Sequence, residues 1–224
     1  MTQTERLPRI REEEMSAEQV AIYDRFRTGR RASPGSPFTL LHPDGGLTGP
    51  ANAWLLSPPV GTALERLGGT VRFDLALPDR CREIAILLVG FHRASAFELY
   101  AHRAAGRAAG LTDAEIEGLA SEPGPDFTDP AERAVREATR AMLRTGTLND
   151  EEYAAAVAVL GTAGLFELVV LVGYYQLVAT QLAVFGVEPP TVQPPTVEPP
   201  TVQPPTVQPP GVQAPGVQPS AAQP

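Results

Sequence analysis

Apolar residues recur at three- and four-residue steps through most of this chain, a period that predicts helices and leaves no convincing strand run. Ser16 and Gln19 make a capping box at the head of a short helix over 16–26, which Gly29 stops. The stretch RRASPGSPF, punctuated by Pro34, Gly35 and Pro37, predicts a surface loop; Phe38 to Leu41 then dock, and HPDGG turns. From Pro50 to Leu67 the apolar positions Ala53, Trp54, Leu56, Val60, Leu64 and Leu67 keep helical spacing. Pro58-Pro59 interrupts them, so two short helical pieces are expected.

Asp79 opens a helix that continues through Cys81, Ile84, Leu87 and Leu88, and the segment from Gly90 to Ser95 is where it breaks most easily. Ser95 and Glu98 repeat the S/T-x-x-E signature, predicting a fresh helix from Ser95 to Gly110. Thr112 with Glu115 heads a short helix through Leu119, Asp129-Pro130 starts one that ends near Gly146, and Asn149 caps one through Leu160. A last helix runs from about Thr162 to Phe185. It is long and apolar enough to raise a membrane reading, but Glu167, Gln176 and Gln181 fall on different faces and basic flanks are missing. A buried helix in a core or a subunit interface is the expectation. The fold class is all-α.

After Glu188 the chain becomes a run of PPTVQ-like pentapeptides, which cannot build a core and favours extended polyproline II or disorder. The organisation expected is an N-terminal extension with one short helix over 1–36, a helical domain over 37–187, and a Pro-rich tail over 188–224. The tail is a spacer or a ligand for a proline-recognising partner. A five-residue repeat, however, does not keep one face of a three-residue helix in register.

Composition narrows the function classes. Among 224 residues, 26 acidic against 18 basic side chains leave a net charge of −8. No general basic field exists to attract nucleic acid or an anionic membrane, although a local arginine cluster can still grip a small carboxylate. All the basic residues are arginine. The single cysteine, Cys81, forms no internal disulfide, and no apolar segment follows Met1, so a cytoplasmic protein is expected.

Candidate chemistry centres on residues 77–111. Glu98 and His102 lie four apart, on one helix face, where a carboxylate can hold an imidazole in one tautomer and make it a general acid or base. Glu98 also occupies the capping-box position, where its carboxylate would satisfy a backbone N–H instead. Glu83 sits among Ile84, Ile86, Leu87 and Leu88, partly desolvated as a proton relay requires, or stands as a solvated first-turn residue. In an unbroken helix Glu83 and His102 would be about 28 Å apart; only a turn near Gly90 to Ser95 brings them together. His92, at the break, is expected to be exposed, and His42 either lines a pocket or caps its turn. The three histidines show no metal-binding spacing, so neither metal nor cofactor is expected. Arg80, Arg82 and Arg103 either anchor a carboxylate or pair at the surface.

REIAILLVG, FELYAH and AAGLTDAEI, in that order, resemble the carboxymuconolactone decarboxylase and alkylhydroperoxidase D superfamily, over roughly Pro37 to Val187. The peroxidase branch carries a glutamate, then C-x-x-C opening a helix, then a histidine four residues on. Those positions are Glu83, Ser95, Glu98 and His102 here. A serine and a glutamate supply neither an attacking nor a resolving thiol, so the chain resembles the non-redox branch, named for decarboxylation of a lactone acid without a cofactor. The resemblance implies an alkylhydroperoxidase D-like helical bundle and a homo-oligomer, trimer or hexamer. It also implies a catalytic site of His102, Glu98 and Glu83, and a pocket walled by Trp54, His42, Phe97 and Tyr174, with Tyr175 beside them. The function expected is a cofactor-independent lyase or isomerase acting on a small carboxylated or carbonyl-containing metabolite, with His102 moving the proton, Glu98 orienting it and Glu83 relaying charge. The alternatives are a non-catalytic oligomeric scaffold that presents Pro-rich arms, and a residual peroxidase using Cys81.

Overall fold

The structure is a computed structural model, and it describes residues 6–32 and 38–190. The Pro-rich tail expected after Glu188 lies almost wholly outside the described residues. Eight α-helices account for most of the described chain: α1 (Ala17–Thr28), α2 (Pro50–Trp54), α3 (Pro58–Phe73), α4 (Asp79–His92), α5 (Ala96–Ala108), α6 (Asp113–Gly118), α7 (Pro130–Thr145) and α8 (Asp150–Phe185). Among the described residues there is no strand, only an isolated bridge between Leu41 and Leu47. The fold is an all-α bundle in which α4 is central, packed against α5, α7 and α8. Ile84, Leu87 and Val89 of α4 are fully enclosed, together with Val135 of α7 and Leu168 and Leu171 of α8.

Most helix starts follow their local signals. Ser16 accepts from the Gln19 N–H and Gln19 returns a bond to Ser16, and the same reciprocal boxes form at Thr112 with Glu115 and at Asn149 with Glu152. Asp129 caps α7 ahead of Pro130, and Gly146 closes that helix with a positive φ of 77°. At Gly161, φ 70° and ψ 166° kink α8 between the two helical pieces expected there.

Two departures matter for the site. The first is at Ser95, whose side chain makes no capping bond; its N–H goes to the Gly90 carbonyl, and Glu98 turns inward instead of back to the cap. The second is α3, which runs through Gly68-Gly69 to Phe73 instead of stopping near Leu67. Gly68 is there for close approach: a Cβ on it would lie 2.1 Å from the Tyr174 hydroxyl and 2.8 Å from Arg31 Nη2. The extra helical turn carries Arg72.

α8 contains an 18-residue window of mean hydropathy 2.3, long and apolar enough to cross a membrane, with 28% of that window buried. Two of its polar residues bond to other parts of the chain, Gln181 to α2 and Glu167 to the loop between α3 and α4. Gln181 accepts from Trp54 Nε1 at 3.0 Å and donates to the Pro50 carbonyl at 3.0 Å, and the Glu167 carboxylate accepts from the Ala76 and Leu77 N–H groups.

Candidate active site

The hinge between α4 and α5 is three residues, Arg93 to Ser95, with Ala94 in the left-handed region at φ 48°. It folds the two helices against each other, and a 19-residue separation in sequence becomes a contact. His102 Nδ1 lies 2.7 Å from Glu83 Oε2, and His102 Nε2 lies 3.5 Å from Glu98 Oε2. All three are buried, at 3% exposure for His102, 4% for Glu98 and 9% for Glu83. With Glu83 accepting from Nδ1–H, Nε2 carries the lone pair and is directed at Glu98. The Tyr175 ring stands edge-on to the imidazole at 5.0 Å and the Phe38 ring at 5.8 Å, so packing as well as hydrogen bonding holds the ring plane.

Burial pushes the Glu98 carboxyl up to about 7; Glu83 adds to the rise, while His102 and Arg72 oppose it. A group that titrates there can give or take a proton near neutral pH. Burial also raises Tyr175 far above the ordinary phenol range and pushes Tyr174 up to about 12. Both stay neutral.

Glu98 and His102 face a small cavity, whereas Glu83 lies behind the imidazole. The cavity is lined by Trp54, Phe97, Tyr174 and Tyr175, and also by Phe38, Arg31 and Arg72. Its free volume is about 30 Å³, room for a water or two. Arg72 Cζ sits 4.5 Å above the Phe38 ring, and no carboxylate lies within ion-pair distance of it among the described residues. It is a cation beside an acid–base pair, missed in sequence because it lies beyond Leu67, where the helical spacing stops.

Several expected residues lie elsewhere. His42 is not among the lining residues: its turn closes on itself through His42 N–H to the Gly46 carbonyl, and its ring pairs with Asp44 at 2.9 Å. His92 is exposed at the end of α4. The three arginines considered as carboxylate anchors are already spent. Arg80 bonds Glu132 at 2.5 Å and Glu115 at 2.9 Å, Arg82 bonds Asp79 and the Leu77 carbonyl, and Arg103 forks onto Glu117. Cys81 is 1% exposed, faces the acidic start of α7, and burial pushes its thiol up to about 12. Among the described residues no group of three or more His, Cys, Asp or Glu is arranged to hold a metal ion.

Residues 58–141 match the model of the carboxymuconolactone decarboxylase family. The matched residues make up the middle of the chain, less than half of its length. The match runs from α3 into α7 and contains Arg72, Glu83, Glu98 and His102; α1, α2 and α8 lie outside it, as do Arg31, Trp54, Tyr174 and Tyr175 of the cavity wall. No curated protein matches the chain.

Proposed function

We propose that the chain is a cofactor-independent acid–base enzyme of the carboxymuconolactone decarboxylase type, a lyase or isomerase acting on a small carboxylated or carbonyl-containing metabolite. The observation that carries this reading is His102 held between two buried carboxyls, with one of them, Glu98, opening onto a cavity that Arg72 also lines. The distances favour an exchange of the roles expected from spacing. Glu83, at 2.7 Å, orients the imidazole and fixes its tautomer, and Glu98, on the cavity side, exchanges the proton with the substrate. For a decarboxylation, the C–C bond to the departing carboxylate breaks and its electrons pass to the adjoining carbonyl as an enolate, whose oxygen Arg72 stabilises. Protonated Glu98 then donates to the carbanionic carbon, and it recovers a proton through His102 from solvent. A thiol route has little support, because the lone cysteine is enclosed away from the cavity and is held protonated.

Solvent-hydrogen exchange tests the reading across many candidate substrates at once. In D2O, a panel of lactone acids and 3-oxo acids is followed by NMR for deuterium incorporation and loss of carboxylate. At least one compound should react, and His102→Ala should lower its rate by about 100-fold or more. Wild-type rates in His102→Ala would remove the assignment.

Assembly is proposed on a separate observation. Phe166, Val169, Leu177 and Val184 are 46–68% exposed along one side of α8, with no charged residue among them, a face suited to a second copy of the chain in a trimer or hexamer. The tail serves as a spacer in this reading. Deleting Pro189 to Pro224 should leave turnover intact; a scaffold that works through its Pro-rich arms would instead lose its partners.

A further inference from the structure

The cavity in front of His102 has a free volume of about 30 Å³, whereas pockets that hold a metabolite measure roughly 300 Å³ or more. Its wall is nearly sealed. Of the described residues that line it, all are buried except Arg31 and Arg72, so the way out to solvent passes these two arginines. Outside lies a groove of about 630 Å³ between α1 and α3, and among the described residues Arg31 alone lines both spaces.

Arg31 stands in a single 3-10 turn, Arg30–Ala32, directly after α1. Its guanidinium reaches inward over Gly68, where it meets the Tyr174 hydroxyl, and it stands 5.4 Å from the centre of the Phe26 ring. This seat exists because Gly68 has no side chain: a Cβ there would lie 2.8 Å from Arg31 Nη2. A hydroxyl and an aromatic face are neutral partners, each weak by itself. The groove outside offers ionic ones. It is lined by the carboxylates of Asp24, Glu65 and Asp74, of which Glu65 holds Arg25 at 2.9 Å and Asp74 holds Arg30 at 2.5 Å. One side chain thus has two places to rest, an inner seat of neutral contacts and an outer one of carboxylates and water.

We propose that Arg31 is the gate of the site: seated over Gly68 it separates the His102 cavity from the outer groove, and swung outward it joins the two into one space that admits a substrate. The proposal rests on the acid–base reading for the identity of the centre behind the gate. Seated, the guanidinium keeps bulk water from Glu98 and His102; swung out, it leaves the groove to hold the part of a substrate that the cavity has no room for.

Access to His102 is read by chemical labelling of the full chain, without turnover. Diethyl pyrocarbonate, too large for the closed cavity, carbethoxylates histidines, and peptide mass mapping gives separate rates for His102 and for the exposed His92. Iodoacetamide on Cys81, which is 1% exposed and does not line the cavity, reports global opening. In wild type His102 should label well below His92, and low urea should raise the Cys81 rate while the His102 rate stays flat, because turning one side chain exposes little new surface. Arg31→Ala should raise the His102 rate about tenfold or more, with His92 and Cys81 unchanged. Arg31→Met, which keeps the plug and has no charge to draw it outward, should leave His102 at or below its wild-type rate. An unchanged His102 rate in Arg31→Ala overturns the gate, and so does Arg31→Met labelling as fast as Arg31→Ala. A His102 rate that rises in step with Cys81, in a variant or in wild type under urea, also overturns it, since the opening is then unfolding. Labelling measures access alone, so these failures leave the acid–base reading standing, whereas wild-type exchange in His102→Ala would remove that reading and leave the labelling rates as they are.

Discussion

Replacing Glu98 with glutamine keeps the shape of the side chain and removes its titration, which isolates what burial of this carboxyl does to stability. In the folded chain the carboxyl titrates near 7, against 4.5 for an ordinary glutamate. At about 1.4 kcal/mol per pH unit, ionising it inside the protein costs about 3 kcal/mol more than ionising it in the unfolded chain. The sign follows from the proton count. Between these two values the folded state holds a proton that the unfolded state has released, so Glu98 stabilises the fold at low pH, and that contribution is lost as pH rises through about 7. Wild type should therefore lose about 2–3 kcal/mol between about pH 5 and about pH 8 that Glu98→Gln does not lose. Urea unfolding of both proteins at a series of pH values measures this directly, provided the midpoints shift without a change in slope. If the two pH profiles run parallel, Glu98 is ionised throughout, and its role as proton donor to the substrate fails.

Three further outcomes follow from the geometry. Arg80→Met leaves Glu132, at 7% exposure, without its forked partner and should destabilise the chain by about 2–3 kcal/mol in urea unfolding, with Glu132→Gln in the same chain restoring part of the loss. Gly68→Ala forces a methyl against the Tyr174 hydroxyl and Arg31, and should cost about 1–3 kcal/mol; Tyr174→Phe, which removes the crowding oxygen, should recover at least about half of that in a double-mutant cycle. Ala94→Gly relieves a left-handed residue in the hinge and should raise stability by about 1 kcal/mol, seen as an upward shift in thermal midpoint, with the α4–α5 angle and the activity unchanged.

Much of this arrangement is legible in the sequence where the information is local. Capping residues, the Asp129-Pro130 start, the Gly146 stop and the break before Ser95 are decided by neighbours a few positions away, and the structure has them where the pattern predicts. The same locality misleads at Ser95 and Glu98. Their spacing is that of a capping box, but the hinge turns Glu98 into the cavity, where His102 competes for it and wins. The helical spacing read from the sequence stops at Leu67, before Gly68-Gly69, residues that are poor helix formers in isolation; α3 nevertheless runs on to Phe73, and at Gly68 Tyr174 and Arg31, more than 30 residues away in either direction, occupy the space a side chain would need. Arg72 and Arg31 are hidden because what distinguishes them from sixteen other arginines is their place at the cavity wall, a property of the tertiary structure alone. The roles of Glu83 and Glu98 also depend on the angle of the hinge. Helical spacing favours Glu98 as the partner that orients His102, whereas the folded distances are 2.7 Å to Glu83 and 3.5 Å to Glu98. His42 could line a pocket or cap its turn on sequence grounds, and in the structure its ring pairs within its own turn, with Asp44.

The most direct test of the central claim is electron density for a small carboxylic acid soaked into or co-purified with the full chain. The account predicts that the acid occupies the cavity, with a carboxylate or carbonyl oxygen about 3 Å from the Arg72 guanidinium and its adjoining carbon against Glu98 and His102 Nε2. An acid bound in the outer groove or on the surface, with the His102 cavity filled only by water and closed side chains, would contradict it.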